Sequence, residues 1–386
     1  MRITFILLSL FMINSCNGQN DQIMTGADQI EKYIPLLHGK RVAVVANQTS
    51  EVNGTHLVDT LLHYKAKFQV VKVFAPEHGF RGVIDDGVVV KDETDVRTGL
   101  PIISLYGKNK KPTAEVLSDV DIVIFDIQDV GARFYTFIST MHYVMEACAE
   151  YDIPVMVLDR PNPNGNYVDG PVLKPDFKSF VGMHPIPVVH GVTVGELAKM
   201  INGEGWLDKG IQCDLTVIAC KNYSHKTPYS LPVKPSPNLP DDHTIRIYPS
   251  TCFFEGTVIS EGRGTHFPFR IYGHPQLEGN YTFTPKAIPG METNPKFKNE
   301  RCFGEDLRSF EPQDGWHRLY LGWVIDAYKK FPDKEHFFRS FFDLLAGTDQ
   351  LRIQIQDGVS EEEIRKSWQD ELAAYKNIRR KYLLYD

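Results

Sequence analysis

The chain has 386 residues, a formal net charge of −7, 42% hydrophobic residues and 6 cysteines. Such a length can bury more than one core, and the acidic balance, with no basic stretch interleaved with aromatic residues, excludes nucleic acid as a partner. The cysteines at 16, 148, 213, 220, 252 and 302 form no C-x-x-C pair and no zinc-like spacing with histidine, so they imply neither a metal site nor a disulfide framework.

At the N-terminus, Arg2 precedes an apolar run over 3–13 that is too short to anchor a helix across a bilayer and is read as a secretory signal. The small Ser15 directly before Cys16 is what a bacterial lipoprotein signal requires. Residues 1–15 are therefore expected to be removed, with Cys16 lipidated and the protein exported and held at the cell envelope, on the periplasmic side or at the outer membrane. No later apolar run approaches the length of a membrane span.

From there the chain alternates β-branched runs with amphipathic patterns. Residues 41–47, 69–75, 101–106, 121–127, 154–159 and 214–220 predict strands, while 55–65, 112–118, 136–151 and 193–201 carry apolar residues at helical spacing. This alternation predicts an α/β fold, a doubly wound parallel sheet whose ligand sits beyond the carboxyl ends of the strands, where the loops splay apart. Prolines at 228, 232, 235, 237 and 240 then impose an irregular connection. After about residue 241 the alternation stops, and helices over 319–331, 334–345 and 360–382 predict a second, smaller α+β domain spanning 241–386. Glu361, Glu362 and Glu363 suit the positive end of the last helix.

The polar clusters follow the predicted strands. Pro76-Glu77-His78-Gly79-Phe80-Arg81 follows the second, Gln128-Asp129-Val130-Gly131-Ala132-Arg133-Phe134-Tyr135 the fourth, and Arg160-Pro161-Asn162-Pro163-Asn164 the fifth. Acids, amides, arginines and aromatic rings on one sheet edge suit a sugar. Phosphate cradles, H-E-x-x-H and G-x-S-x-G are all absent, so dinucleotide, P-loop, zincin and ordinary serine hydrolase chemistry lose support. Glycoside hydrolysis needs only two carboxyls, one protonated and one ionised, and neither a metal nor an organic cofactor. A second acid is available in Ser260-Glu261-Gly262-Arg263-Gly264-Thr265, where the glycines allow close backbone approach to a ligand, although a solvated surface turn fits the same spacing. Asp126 and Asp129 can orient an acid or bind hydroxyls, or simply cap a helix. Arg133 can meet a ligand or pair with Asp129, Arg160 can meet substrate or support its turn, and Ser236 and Asn238 sit between prolines that stiffen their backbone.

The strings FAPEHGFRG (74–82), DIQDVGARFYTFISTM (126–141), VLDRPNPNG (157–165), PSPNLP (235–240) and FEGTVISEGRGT (254–265) resemble, in order and spacing, the signature blocks of the exo-β-N-acetylmuramidase (NamZ, formerly DUF1343) family, with coverage from about Met24 onward. The resemblance implies a Rossmann-like catalytic domain over 24–240, an auxiliary C-terminal domain, an active site in the cleft between them, and release of N-acetylmuramic acid (MurNAc) from the non-reducing end of peptidoglycan oligosaccharides or muropeptides. It places the family's glutamates on Glu77 and Glu261. The residues of these blocks expected to contact substrate are His78, Arg81, Asp126, Gln128, Asp129, Arg133, Tyr135, Arg160, Asn162, Ser236, Asn238, Arg263 and Thr265. Val258 and Asn164 depart from the family pattern without touching the two acids. A lipid-anchored muropeptide-binding protein without turnover is the alternative, and an esterase or amidase acting on the same polymer is a third.

Overall fold

The computed structural model describes residues 22–77, 79–82, 92–107 and 109–386. The signal segment, Cys16 and His78 lie outside them. A seven-stranded sheet is built from β1 (Arg41–Ala46), β2 (Gln69–Ala75), β3 (Glu93–Thr94), β4 (Pro101–Ser104), β5 (Ile122–Asp126), β6 (Val155–Leu158) and β7 (Leu215–Ile218), in the order β7-β6-β5-β1-β2-β4-β3. Every pairing is parallel except that of the short edge strand β3 with β4. The chain leaves β1 in one direction and returns to its other side at β5, so the expected doubly wound topology is present.

Burial on both faces explains why these strands are nearly continuous apolar runs. Alternate residues of β1 serve different cores, since successive side chains of a strand point to opposite faces. Val42, Val44 and Ala46 pack with Leu57, Val58 and Leu61 of α1 (Leu57–Leu62). Ala43 and Val45 join the cluster of Ile138, Met141 and Met145 on α3 (Phe137–Glu150), which follows the short α2 (Ala114–Leu117). That second core continues without a break into the C-terminal half through Phe253, Phe342, Leu345 and Trp368. A Thr193–Glu196 capping box starts α4 (Val194–Gly203).

Beyond the proline-rich connection, Asp241 caps α5 (Asp242–Thr251). Next comes an antiparallel sheet of β8 (Ile271–His274), β9 (Tyr281–Phe283) and β10 (Cys302–Asp306), in the order β8-β10-β9. The helices α6 (Gly322–Lys330), α7 (Phe341–Ala346), α8 (Gln350–Gln356), α9 (Glu361–Ser367) and α10 (Gln369–Arg379) complete the second lobe. Two expectations need correction here. The helix predicted over 334–345 begins only at Phe341, because residues 337 and 339 are tied to the backbone at 256 and 258. The helix predicted over 360–382 is broken at Trp368, whose ring is buried, and Glu363 closes a capping box with Ser360. The five described cysteines are buried free thiols. Among the described residues, no helix is long and apolar enough to cross a membrane.

Candidate active site

A cavity of about 440 Å³ lies where the two halves meet. From the sheet edge come Glu77, just past the end of β2, Tyr106 past β4, Phe134, Tyr135 and Thr136 between β5 and α3, and Phe137 at the start of α3. The proline-rich connection crosses this edge and is pinned there, since Gln48 Nε2 donates to the carbonyls of Lys234 (3.2 Å) and Pro235 (3.1 Å) and the Tyr135 hydroxyl donates to Pro235 (2.8 Å). It presents Ser236, Asn238 and Leu239 to the cavity. The second lobe closes the opposite side with Tyr248 of α5, with Glu255, Glu261, Arg263 and Phe269, and with a loop bearing Glu292, Asn294, Pro295 and Lys296.

The two glutamates therefore reach one cavity from different halves of the chain. Glu77 is half-buried, and the Thr136 hydroxyl donates to its Oε2 at 3.3 Å. Glu261 is only 3% exposed. Burial pushes its carboxyl up, but Lys296 Nζ at 3.0 Å and Arg263 Nε at 3.6 Å outweigh that and hold it below the usual glutamate range. Arg263 makes its shorter contact with Glu255, 2.7 Å from Nη2, and lies 5.1 Å over the Phe269 ring. The glycines beside Glu261 serve the protein rather than a ligand. Gly262 adopts φ +83°, and a Cβ there would meet the carbonyls of Ile271 and Phe267 at 2.9 Å.

Of the residues proposed from sequence, Glu77, Tyr135, Ser236, Asn238, Glu261 and Arg263 line this cavity, and several others do not. Arg81 is committed to Asp95 (2.8 Å) and Asp59 (3.3 Å). Asp126 is fully buried and grips Arg160 through two contacts of 2.6 and 2.9 Å, so neither is available to substrate. Gln128 Nε2 donates to the carbonyls of Asp129 and Pro161, and Asp129 accepts from the Gly131 amide and faces His190. Asn162 ties the turn after β6 to Val192, while Thr265 bonds back to Gly262. Asn164 Nδ2 donates to the carbonyls of Val130 and Ile245.

Arg133 is the largest correction. Its side chain is fully buried and makes no ion pair with Asp129; Nη1 donates to the carbonyls of Pro171 (2.9 Å) and Ile186 (2.7 Å), and Nη2 to Leu345 (2.9 Å). It thus ties the ribbon of Asp169–Val172 and Pro187–Val189 to the end of α7. Gly347, left-handed at φ +74°, caps α7 so closely that an added Cβ would lie 2.6 Å from Arg133 Nη2.

Sequence reasoning also missed cavity residues. Glu255 was within reach, since it lies in the same block as Glu261. Lys296 carried no such signal, because its role depends on a loop folding back across many intervening residues.

The fold and cavity together define a two-domain α/β protein whose cleft is lined by a glutamate from each half, Glu77 and Glu261. Residues 42–243 match the family described as "Exo-beta-N-acetylmuramidase NamZ, N-terminal", and residues 246–385 match "Exo-beta-N-acetylmuramidase NamZ, C-terminal". The chain belongs to the NamZ family. It is 39% identical over 390 residues to the peptidoglycan beta-N-acetylmuramidase NamZ of Bacillus subtilis (strain 168), covering 95% of this chain and 92% of that protein. Among solved structures, a DUF1343 family protein from Bacteroides fragilis NCTC 9343 superposes with a TM-score of 0.87 at 48% identity, over 95% of this chain and 99% of that one. A second DUF1343 family protein from the same organism gives 0.79 at 30% identity, over 94% and 99%.

Proposed function

We propose that this chain is an exo-acting glycoside hydrolase that releases MurNAc from the non-reducing end of peptidoglycan fragments by cleaving a β-1,4 bond. The observation that carries the reading is the convergence of Glu77 and Glu261, from two halves of the chain, on a cavity whose walls include Tyr106, Tyr135, Tyr248 and Phe269. Aromatic faces cover the C–H surfaces of a sugar, and the carboxyls supply the proton transfers. Glu261, with cations on both oxygens, takes the ionised role, which leaves Glu77 as the proton donor to the departing oxygen. Incubation with a MurNAc-GlcNAc disaccharide should yield free MurNAc. Binding without release would instead support a capture protein for muropeptides.

Selection of MurNAc over N-acetylglucosamine (GlcNAc) turns on the lactyl carboxylate. Of Arg81, Arg133, Arg160 and Arg263, Arg263 alone lines the cavity, and a guanidinium can grip a carboxylate with two parallel hydrogen bonds. Arg263→Ala should therefore lower the ratio of activity on matched MurNAc and GlcNAc glycosides by about tenfold or more, the scale of one lost charge-assisted contact. An unchanged ratio, whatever the absolute rates, would assign the carboxylate to another group.

The same reading includes export and lipidation at Cys16, which the short apolar run ending at Ser15 supports. The two or three acyl chains of a processed lipoprotein should hold the protein at a membrane. Cys16→Ala should shift it to the soluble fraction and abolish labelling by fatty acid; label retained by that variant would refute the assignment.

A further inference from the structure

A loop of the second lobe brings to the cavity a lysine whose ammonium faces several acceptors at once. Lys296 Nζ lies 2.9 Å from the Phe254 carbonyl, 2.9 Å from that of Ile259, 3.2 Å from that of Thr257 and 3.5 Å from that of Glu255, as well as 3.0 Å from Glu261 Oε2. An ammonium has three protons, and its three shortest contacts are two of these carbonyls and the Glu261 carboxylate. Carbonyl dipoles that converge on one point repel one another unless a cation stands between them. The same cation is also the nearer counter-charge of Glu261, because Arg263 is drawn towards Glu255.

We propose that Lys296 is the positioning residue of this active site: one compact cation fixes both the Glu261 carboxylate and the backbone turn that carries it, so that Glu261 enters the reaction as an anion. The inference rests on the reading of Glu77 and Glu261 as the reacting acids. The charged and titratable groups around Glu261 are Lys296 and Arg263, then Glu255 through Arg263, with Glu77, Glu292, Tyr106, Tyr135 and Tyr248 on the other cavity walls. A lysine suits the place because its ammonium is a compact point charge on which the carbonyls of one turn can converge, whereas a guanidinium is larger, planar and spreads its donors over a wider fork.

The experiment is the pH dependence of kcat/KM on a MurNAc glycoside for the wild type, Lys296→Met and Lys296→Arg, together with a carboxyl NMR titration of glutamate-labelled protein. In the wild type, the signal that disappears in Glu261→Gln should titrate below the ordinary glutamate value of about 4.3. Lys296→Met should move the acidic limb of the rate profile upward by about one pH unit or more and lower kcat about a hundredfold with little change in KM, the scale of a misplaced proton-transfer group. Lys296→Arg should keep the limb low but not restore kcat. A folded Lys296→Met enzyme with the wild-type limb and kcat would overturn the proposal. If that variant does not fold, the wild-type titration decides, and a Glu261 signal at or above the ordinary range overturns it. Wild-type turnover by Glu261→Gln would be a different failure, removing the acid assignment itself while leaving the titration of Glu261 to be read.

Discussion

Glu77→Gln should fold normally and lose about 10²–10⁴-fold in kcat, the usual loss when a positioned proton-transfer group is removed. The substitution is close to isosteric, and the amide oxygen can still accept from the Thr136 hydroxyl. What disappears is the capacity to give a proton to the leaving oxygen. Glu261→Gln is a less clean probe, since it leaves Lys296 and Arg263 facing a neutral amide inside a buried site, and lost turnover there mixes chemistry with stability. The measurement is release of a chromogenic group from a MurNAc glycoside, with circular dichroism as the check on folding. Wild-type kcat in Glu77→Gln would eliminate it as the acid. The replacement would then be sought among Glu255 and Glu292, which line the cavity, and not at Asp126 or Asp129, which do not.

Arg160→Met should destabilise the protein by about 3–5 kcal/mol, the usual cost of breaking a buried ion pair by removing one partner. Asp126 is 0% exposed at the end of a central strand, and Arg160 holds both its oxygens. Burial already pushes the Asp126 carboxyl up against the pull of the guanidinium, and without Arg160 it should rise further. A carboxyl whose folded-state pKa is raised favours the folded state when protonated, so the deficit should shrink as pH falls through that pKa towards the unfolded value. Denaturant titrations at neutral and mildly acidic pH test both parts. An unchanged midpoint at neutral pH would show that the pair contributes nothing, and full activity of the folded fraction at low temperature would separate this structural role from substrate binding.

The sheet could be read from sequence because its strands are buried on both faces and therefore written as unbroken apolar runs, while α3 and α4 carry their periodicity plainly. The second lobe was harder. Its small sheet uses segments such as Ile271–His274 and Cys302–Asp306, whose glycines and polar residues break any alternation, and α5 is masked by the proline-rich connection before it and by Pro249 within it. The site shows the same division. Glu77 and Glu261 stand in motifs that mark them. Arg133, Asp126 and Arg160 stand in equally conspicuous motifs, yet they bond the protein to itself, and residue type and spacing alone do not distinguish an arginine that meets a ligand from one that meets three carbonyls.

The contact between Arg133 and Gly347 makes each half of the chain depend on a residue of the other. Any side chain at 347 would run into the guanidinium, and any other residue at 133 would strand the carbonyls of Pro171, Ile186 and Leu345. Neither position can drift by itself, so among relatives the two should be kept or replaced as a pair although they lie far apart in the chain. A chimera joining the first half of this protein to the second half of a relative that lacks the glycine should therefore carry a collision between the lobes.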